Sequence, residues 1–177
     1  MGDSKAKPEI VEVKVIEATA ESFEEYGQVI KASPDGDEFG PQDAQLDLSR
    51  GIPRFYIMHI ENRPLKFSTI THHASVTQCL GSVGGNVWYL GFAKPSIVDD
   101  YEVKDDTGGD NEIVQVCVFR VEGSKFLKLN RGTWHAGPLF KADTMDFYNL
   151  ELSNTNVVDH TTHNFKRENG VAFLIND

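Results

Sequence analysis

The sequence predicts an all-β fold, a sandwich or a barrel. Three observations lead there. Short runs rich in β-branched and aromatic residues recur along the chain, Gly- and Asp-rich clusters separate them, and one stretch alone reads as a helix. The 177 residues suffice for one well-buried core, so a single domain spanning 1–177 is expected.

The elements follow in chain order. Residues 1–9 are polar and expected to be flexible. Residues 11–15, Val-Glu-Val-Lys-Val, alternate and predict a strand. Residues 21–26 read as a short helix closed by Gly27, the residue type that most easily takes the left-handed capping conformation. Residues 33–47 are rich in Pro, Gly and Asp and predict a loop. Strand-like runs then occupy 55–60, 66–73, 87–92, 113–121, 126–129, 147–152 and 171–175, with turn-forming clusters at 81–86, 105–111 and 122–124. The acidic run Asp99-Asp100-Tyr101-Glu102 and the turn around Asp110 lack EF-hand spacing and read as solvated loop. No repeat of solenoid period is present.

Charge and cysteine usage narrow the function classes. Seventeen Lys and Arg stand against 27 Asp and Glu, a net charge of −10. That disfavours nucleic acid, whose phosphates need a Lys/Arg surface, and equally an anionic membrane. A small anionic substrate requires a local cation to offset the acidic surface. Cys79 and Cys117 each sit in a strand-like run and read as buried thiols in a reducing compartment. With no apolar leader, no membrane-length apolar run and no terminal address motif in the sequence, the expected location is the cytoplasm.

Chemistry concentrates in two segments. One is Thr71-His72-His73-Ala74-Ser75-Val76-Thr77-Gln78, and the other is Asn130-Arg131-Gly132-Thr133-Trp134-His135. Neighbouring strand residues face opposite sides. If His73 faces inward, so does Thr71, while His72 faces away. Gln78 can return to the same hollow on the next strand, and His135 can reach it from the other segment. Gly132 is expected to turn the backbone so that Trp134 and His135 re-enter the fold. Trp134 is a core or pocket-wall aromatic, and Arg131 is either a surface charge or an anchor. His73, Gln78 and His135 make a thin divalent-metal site, two imidazoles and a neutral amide, to which Glu151 would add a carboxylate. His59, His160 and His163 read as hydrogen-bonded structural residues, and Cys79 as packing.

These segments resemble a known family. The His73…Gln78 element with residues 87–95, Val-Trp-Tyr-Leu-Gly-Phe-Ala-Lys-Pro, is similar to the first half of the ureidoglycolate lyase family, formerly called ureidoglycolate hydrolase. Asn130-Arg131-Gly132-Thr133-Trp134-His135, followed by Pro138-Leu139, resembles its Arg-Gly-x-Trp-His segment, and residues 21–30 resemble its opening helix and strand. The likeness runs from about Val13 to about Asn156. Three positions depart from the family pattern: Thr71-His72 replaces Glu-Arg, Ala136-Gly137 adds a residue before the Pro-Leu pair, and Glu151-Leu152 replaces Asp-Arg.

The resemblance implies a cupin-type barrel (a double-stranded β-helix or jelly roll) with one or two short helices, and a homodimer. It also implies a lyase of purine and allantoin breakdown that cleaves ureidoglycolate to glyoxylate and urea. On this reading His73 and His135 carry protons, and Glu151 holds an imidazole in its useful tautomer. Arg131 anchors the substrate carboxylate, while Gln78 and Trp134 contact the substrate. No cofactor is implied with certainty. A divalent ion on His73, Gln78 and His135 is the metal-assisted version. A different metal-dependent cupin enzyme, and a cupin-like binding protein without activity, stay open as alternatives.

Overall fold

In the computed structural model, the described residues are 6–94 and 116–177. The acidic run at 99–102, the turn around Asp110 and the first residues of the 113–121 run lie outside them. Among the described residues strands predominate, as expected for an all-β chain. In order they are β1 (Glu9–Glu17), β2 (Gly27–Ile30), β3 (Pro53–Glu61), β4 (Lys66–Phe67), β5 (Thr69–His72), β6 (Gln78–Ser82), β7 (Trp88–Ala93), β8 (Val116–Val121), β9 (Phe126–Leu129), β10 (Trp134–Leu139) and β11 (Thr144–Leu152). Helix α1 (Thr155–Val158), β12 (Thr161–Asn164), helix α2 (Phe165–Glu168) and β13 (Val171–Asn176) complete the chain.

Two sheets form. One has the order β12-β5-β10-β7-β8-β1-β13-β4, the other β2-β9-β6-β11-β3. In the first, β4 and β5 sit near opposite ends although Ser68 alone separates them in the chain. The sheet therefore has to curl back on itself. Both faces of its central strand β7 are covered, and every residue of β7 is buried. Such doubly covered strands read as near-continuous apolar runs, which is the pattern of Trp88-Tyr89-Leu90-Gly91-Phe92-Ala93.

The two faces feed two cores. Trp88, Leu90 and Phe92 of β7 join Phe119 of β8 and Phe147 of β11 between the sheets. Tyr89 and Ala93 point the other way, into a second core with Trp134, Phe67, Phe165 and Phe173. Gly91 lies on that second face. A Cβ there would come within 2.6 Å of the Phe67 ring, so the missing side chain lets β4 close over the sheet. The first and last strands, β1 and β13, pair in parallel from Glu9↔Val171 onward, and β1 continues in parallel along β8. Glu9, expected to be flexible, is thus held.

Several expectations are corrected. Residues 21–26 form consecutive turns and no helix. The chain there makes isolated bonds such as Phe23 N–H to Thr19 O at 3.1 Å and Tyr26 N–H to Phe23 O at 3.0 Å. A run of six residues is too short to offset helix nucleation, and Thr19 and Ser22 cross-bond through their side chains and backbone amides instead. Gly27 is the first residue of β2, where an added Cβ would collide with the Lys128 carbonyl at 1.8 Å. It permits strand approach rather than capping a helix. The short helices come after β11, where the sequence reading had none. The run at 66–73 is two strands belonging to opposite ends of the sheet. The extra residue at Ala136-Gly137 is absorbed as a bulge, because Ala136 faces Gly91 and Leu139 faces Tyr89, three residues against two. Among the described residues no helix is long and apolar enough to cross a membrane.

Candidate functional site

Strand β11 lies across one wall of the gap between the sheets, and its inward face changes character along its length. Met145 and Phe147 belong to the apolar core, whereas Asn149 and Glu151, two and four residues on from Phe147, line a cavity. On neighbouring strands Gln78 and Leu80 of β6 and Tyr56, Met58 and Ile60 of β3 line the same cavity. The opposite wall comes from Thr71 and His73 at the end of β5 and from His135 to Pro138 of β10. The volume is about 260 Å³, just below the range of about 300–1,000 Å³ usual for drug-sized ligands. A larger hollow of about 510 Å³ near Gln28 and Pro41 carries no imidazole.

The imidazoles are fixed by their outer nitrogens. His73 Nδ1 lies 2.6 Å from the Asp159 carbonyl oxygen, and His135 Nδ1 lies 3.2 Å from that of Thr133. A carbonyl oxygen can only accept, so both Nδ1 atoms carry the hydrogen. When the rings are neutral, each Nε2 holds a lone pair available to a ligand. The ring centres of His73 and His135 are 5.3 Å apart, and that of His160 is 5.7 Å from His73. Burial, reinforced by the neighbouring His73 and then by His160 and His72, pushes the His135 pKa down to about 4. The bond to Thr133 opposes this shift but does not overcome it. His135 is therefore neutral at neutral pH.

Backbone geometry delivers both rings. Gly132 has φ +72°, in the region that favours glycine, and its N–H donates to the His73 carbonyl at 2.8 Å. Together with the antiparallel pairing of His135 with Thr71 between β10 and β5, this contact sets the two His-bearing segments side by side. Asp159, which ends α1, accepts from the Ala74 and Ser75 amides at 2.8 Å each through its two carboxylate oxygens.

A second polar chain runs along the five-stranded sheet. Gln78 Nε2 donates to Asn149 Oδ1 at 2.9 Å, and Asn149 Nδ2 donates to the Tyr56 hydroxyl at 3.2 Å. Tyr56 donates to Glu151 Oε1 at 3.2 Å, and Asn156 Nδ2 donates to the same oxygen at 3.3 Å. Burial, the largest influence, raises the Tyr56 pKa, so the phenol keeps its proton for that bond. Arg54 lies over the Tyr56 ring, 3.6 Å from its centre.

The structure brings His73, Gln78, His135 and Glu151 into one cavity and keeps Arg131 and Trp134 out of it. Arg131 is exposed and pairs with Asp47 Oδ2 at 3.2 Å, on a surface hollow beside Gly132 and Thr133. Trp134 precedes His135 on β10 and faces the opposite side, where it packs in the second core and against His72 at 4.4 Å between ring centres. The same alternation that turns His72 away from His73 turns Trp134 away from His135. Glu151 bonds to Tyr56 and Asn156, and it is backbone carbonyls, not this carboxylate, that fix the imidazole tautomers.

The arginine that does line the cavity is Arg63, an exposed residue in the connection after β3. Sequence reasoning missed it, as it missed His160, Tyr56 and Asn149. For Asn149 a signal existed, because it shares the period-two face of Glu151. For Arg63 and His160 none did, since both reach the cavity from connecting segments. The metal set His73, Gln78 and His135 fits a divalent ion poorly. It offers two imidazoles and a neutral amide, and among the described residues no three His, Cys, Asp or Glu side chains converge as ligands.

Compared with known proteins, the chain matches no family model and no curated protein.

Proposed function

We propose that the chain is a lyase of the ureidoglycolate lyase type on a cupin-like barrel, acting on a small ureido acid. The single observation that carries the reading is the pair of imidazoles 5.3 Å apart, each tied through Nδ1 and each lining a cavity that Arg63 also lines. The resemblance of the two His-bearing segments supports it, and so does the position of the cavity between two facing sheets, where the interior of a barrel would lie.

Ureidoglycolate carries a hydroxyl, a ureido nitrogen and a carboxylate on one carbon. His135 Nε2, neutral at working pH, takes the hydroxyl proton. The electron pair of the former O–H bond forms the carbonyl of glyoxylate. The carbon–nitrogen bond breaks, and its electron pair leaves with the nitrogen. His73, which enters the cycle as the imidazolium, delivers its Nε2 proton to that nitrogen, releasing urea. Proton transfer between the two rings, directly or through His160, restores the starting state. No water is consumed. Arg63 replaces Arg131 as the carboxylate anchor. The cytoplasm remains the proposed location and a homodimer the proposed assembly.

Urea release from ureidoglycolate, measured above uncatalysed decay, tests the reading. His135→Ala is expected to lower turnover by about 10²–10⁴-fold with a melting curve close to that of the parent protein. No urea above background from the parent protein, or an unchanged rate in His135→Ala, overturns it.

A further inference from the structure

The polar chain along the five-stranded sheet has a direction, and a carboxylate sets it. Glu151 is 2 % exposed, and its Oε1 already accepts from Asn156 Nδ2 at 3.3 Å. Tyr56 must therefore donate to it, which obliges the Tyr56 oxygen to accept from Asn149 Nδ2. The Asn149 amide is then oriented with Oδ1 toward Gln78, and Gln78 has to present its Nε2 there. Each amide is turned by the one before it. At the end of the chain Gln78 Oε1 is buried, on a residue 8 % exposed that lines the cavity, and has no hydrogen-bond partner among the described residues. A buried acceptor held in this way is costly to leave unmatched.

We propose that Gln78 Oε1 reads an N–H donor at the ureido end of the ligand, and that Glu151 fixes its direction through Tyr56 and Asn149. The inference rests on the small ureido acid reading above and names the atom that recognises it. Glu151, Tyr56 and Asn149 are positioning residues; none of them moves a proton of the reaction. The cavity thus has two poles. Arg63 takes the carboxylate, and Gln78 takes the terminal amide hydrogens. A site that offers only an acceptor at one end discriminates strongly against a ligand that brings a methyl group there.

Two stable ligands differ only at that end. Ureidoacetate ends in NH₂, and N-acetylglycine ends in CH₃. Isothermal titration of the full chain is expected to show ureidoacetate binding at least about tenfold tighter than N-acetylglycine. Gln78→Leu removes the acceptor, and the ratio falls toward one. Glu151→Gln lets the chain reverse, because the new amide can donate to Tyr56, and the ratio again falls toward one. Tyr56→Phe cuts the chain and supplies the same readout should Glu151→Gln not fold. A generally loosened cavity would weaken both ligands alike, so the ratio separates positioning from structural damage. Equal binding of the two ligands by the parent protein overturns the inference while leaving the lyase reading to its urea assay. An unaltered ratio in both Glu151→Gln and Tyr56→Phe overturns the role of Glu151. Binding of neither ligand, with no urea released, overturns the cavity reading and this inference together.

Discussion

At the scale of single residues, His135 shows how position sets chemistry. An ordinary histidine titrates near 6.5, whereas the folded protein holds His135 at about 4. Between those values the unfolded chain binds a proton that the folded chain refuses, and each pH unit across the interval favours unfolding by about 1.4 kcal/mol. The contribution of this ring is therefore undiminished above about pH 6.5 and is lost as pH falls toward 4. Urea unfolding at about pH 7 and about pH 4.5 checks this. The parent protein is expected to lose about 2 kcal/mol more than His135→Ala across that span, and an equal loss would show that the ring is not held neutral. Much at this scale was legible beforehand. Residue type and strand alternation single out His73, Gln78, His135 and Glu151. The same alternation, applied to Trp134 beside His135, would have removed Trp134 from the pocket. Arg131 offered no such signal, because whether a loop cation meets a substrate or Asp47 depends on which loop lies across from it.

At the scale of elements, the segments that hold the imidazoles are fastened by small local devices. Asp159 at the end of α1 grips the Ala74 and Ser75 amides with its carboxylate and the His73 ring with its carbonyl. The backbone carbonyl survives any substitution, but its position does not, once the carboxylate is gone. Asp159→Ala is expected to cost about 2 kcal/mol, since hydrogen bonds to charged groups are worth about 1.5–3 kcal/mol each and water recovers part of the loss. Urea release should fall by about tenfold or more as His73 loses its aim. Thermal unfolding and turnover measured on the same preparation test this, and unchanged turnover would show that α1 does not position the ring. Neither α1 nor the clamp is visible in the sequence, because four-residue helices have no apolar periodicity to detect. The strands were visible wherever alternation or aromatic content marked them. Those missed are short, such as β12, or interrupted by Gly and Pro, such as β10.

At the scale of the whole molecule, one interior serves two purposes. Phe147 of β11 meets Trp88 of β7 across the gap between the sheets, with ring centres 5.1 Å apart and nearly perpendicular. The polar half of the same strand face lines the cavity. Packing at the apolar end thus sets the spacing at the polar end. Phe147→Ala is expected to destabilise the fold by about 3–5 kcal/mol, the usual cost of emptying a large aromatic site in a core. Chemical unfolding measures it, and a loss under about 1 kcal/mol would mean that the sheets are held together elsewhere. The curl of the eight-stranded sheet, with β4 and β5 delivered to distant positions by one intervening residue, was not legible. It depends on which strands pair, and long-range pairing leaves little trace in local pattern.

By itself the sequence determined the strand-rich character of the chain, the burial of both cysteines, and the two segments whose imidazoles can serve one cavity. These follow from periodicity and residue type, which act over a few neighbours. The tertiary structure alone decided which cation faces the cavity and how a buried carboxylate governs the orientation of a distant amide. Those properties are set by contacts between residues far apart in the chain, such as Tyr56 with Glu151 and His73 with Asp159. Such contacts exist only once the sheet has curled and closed.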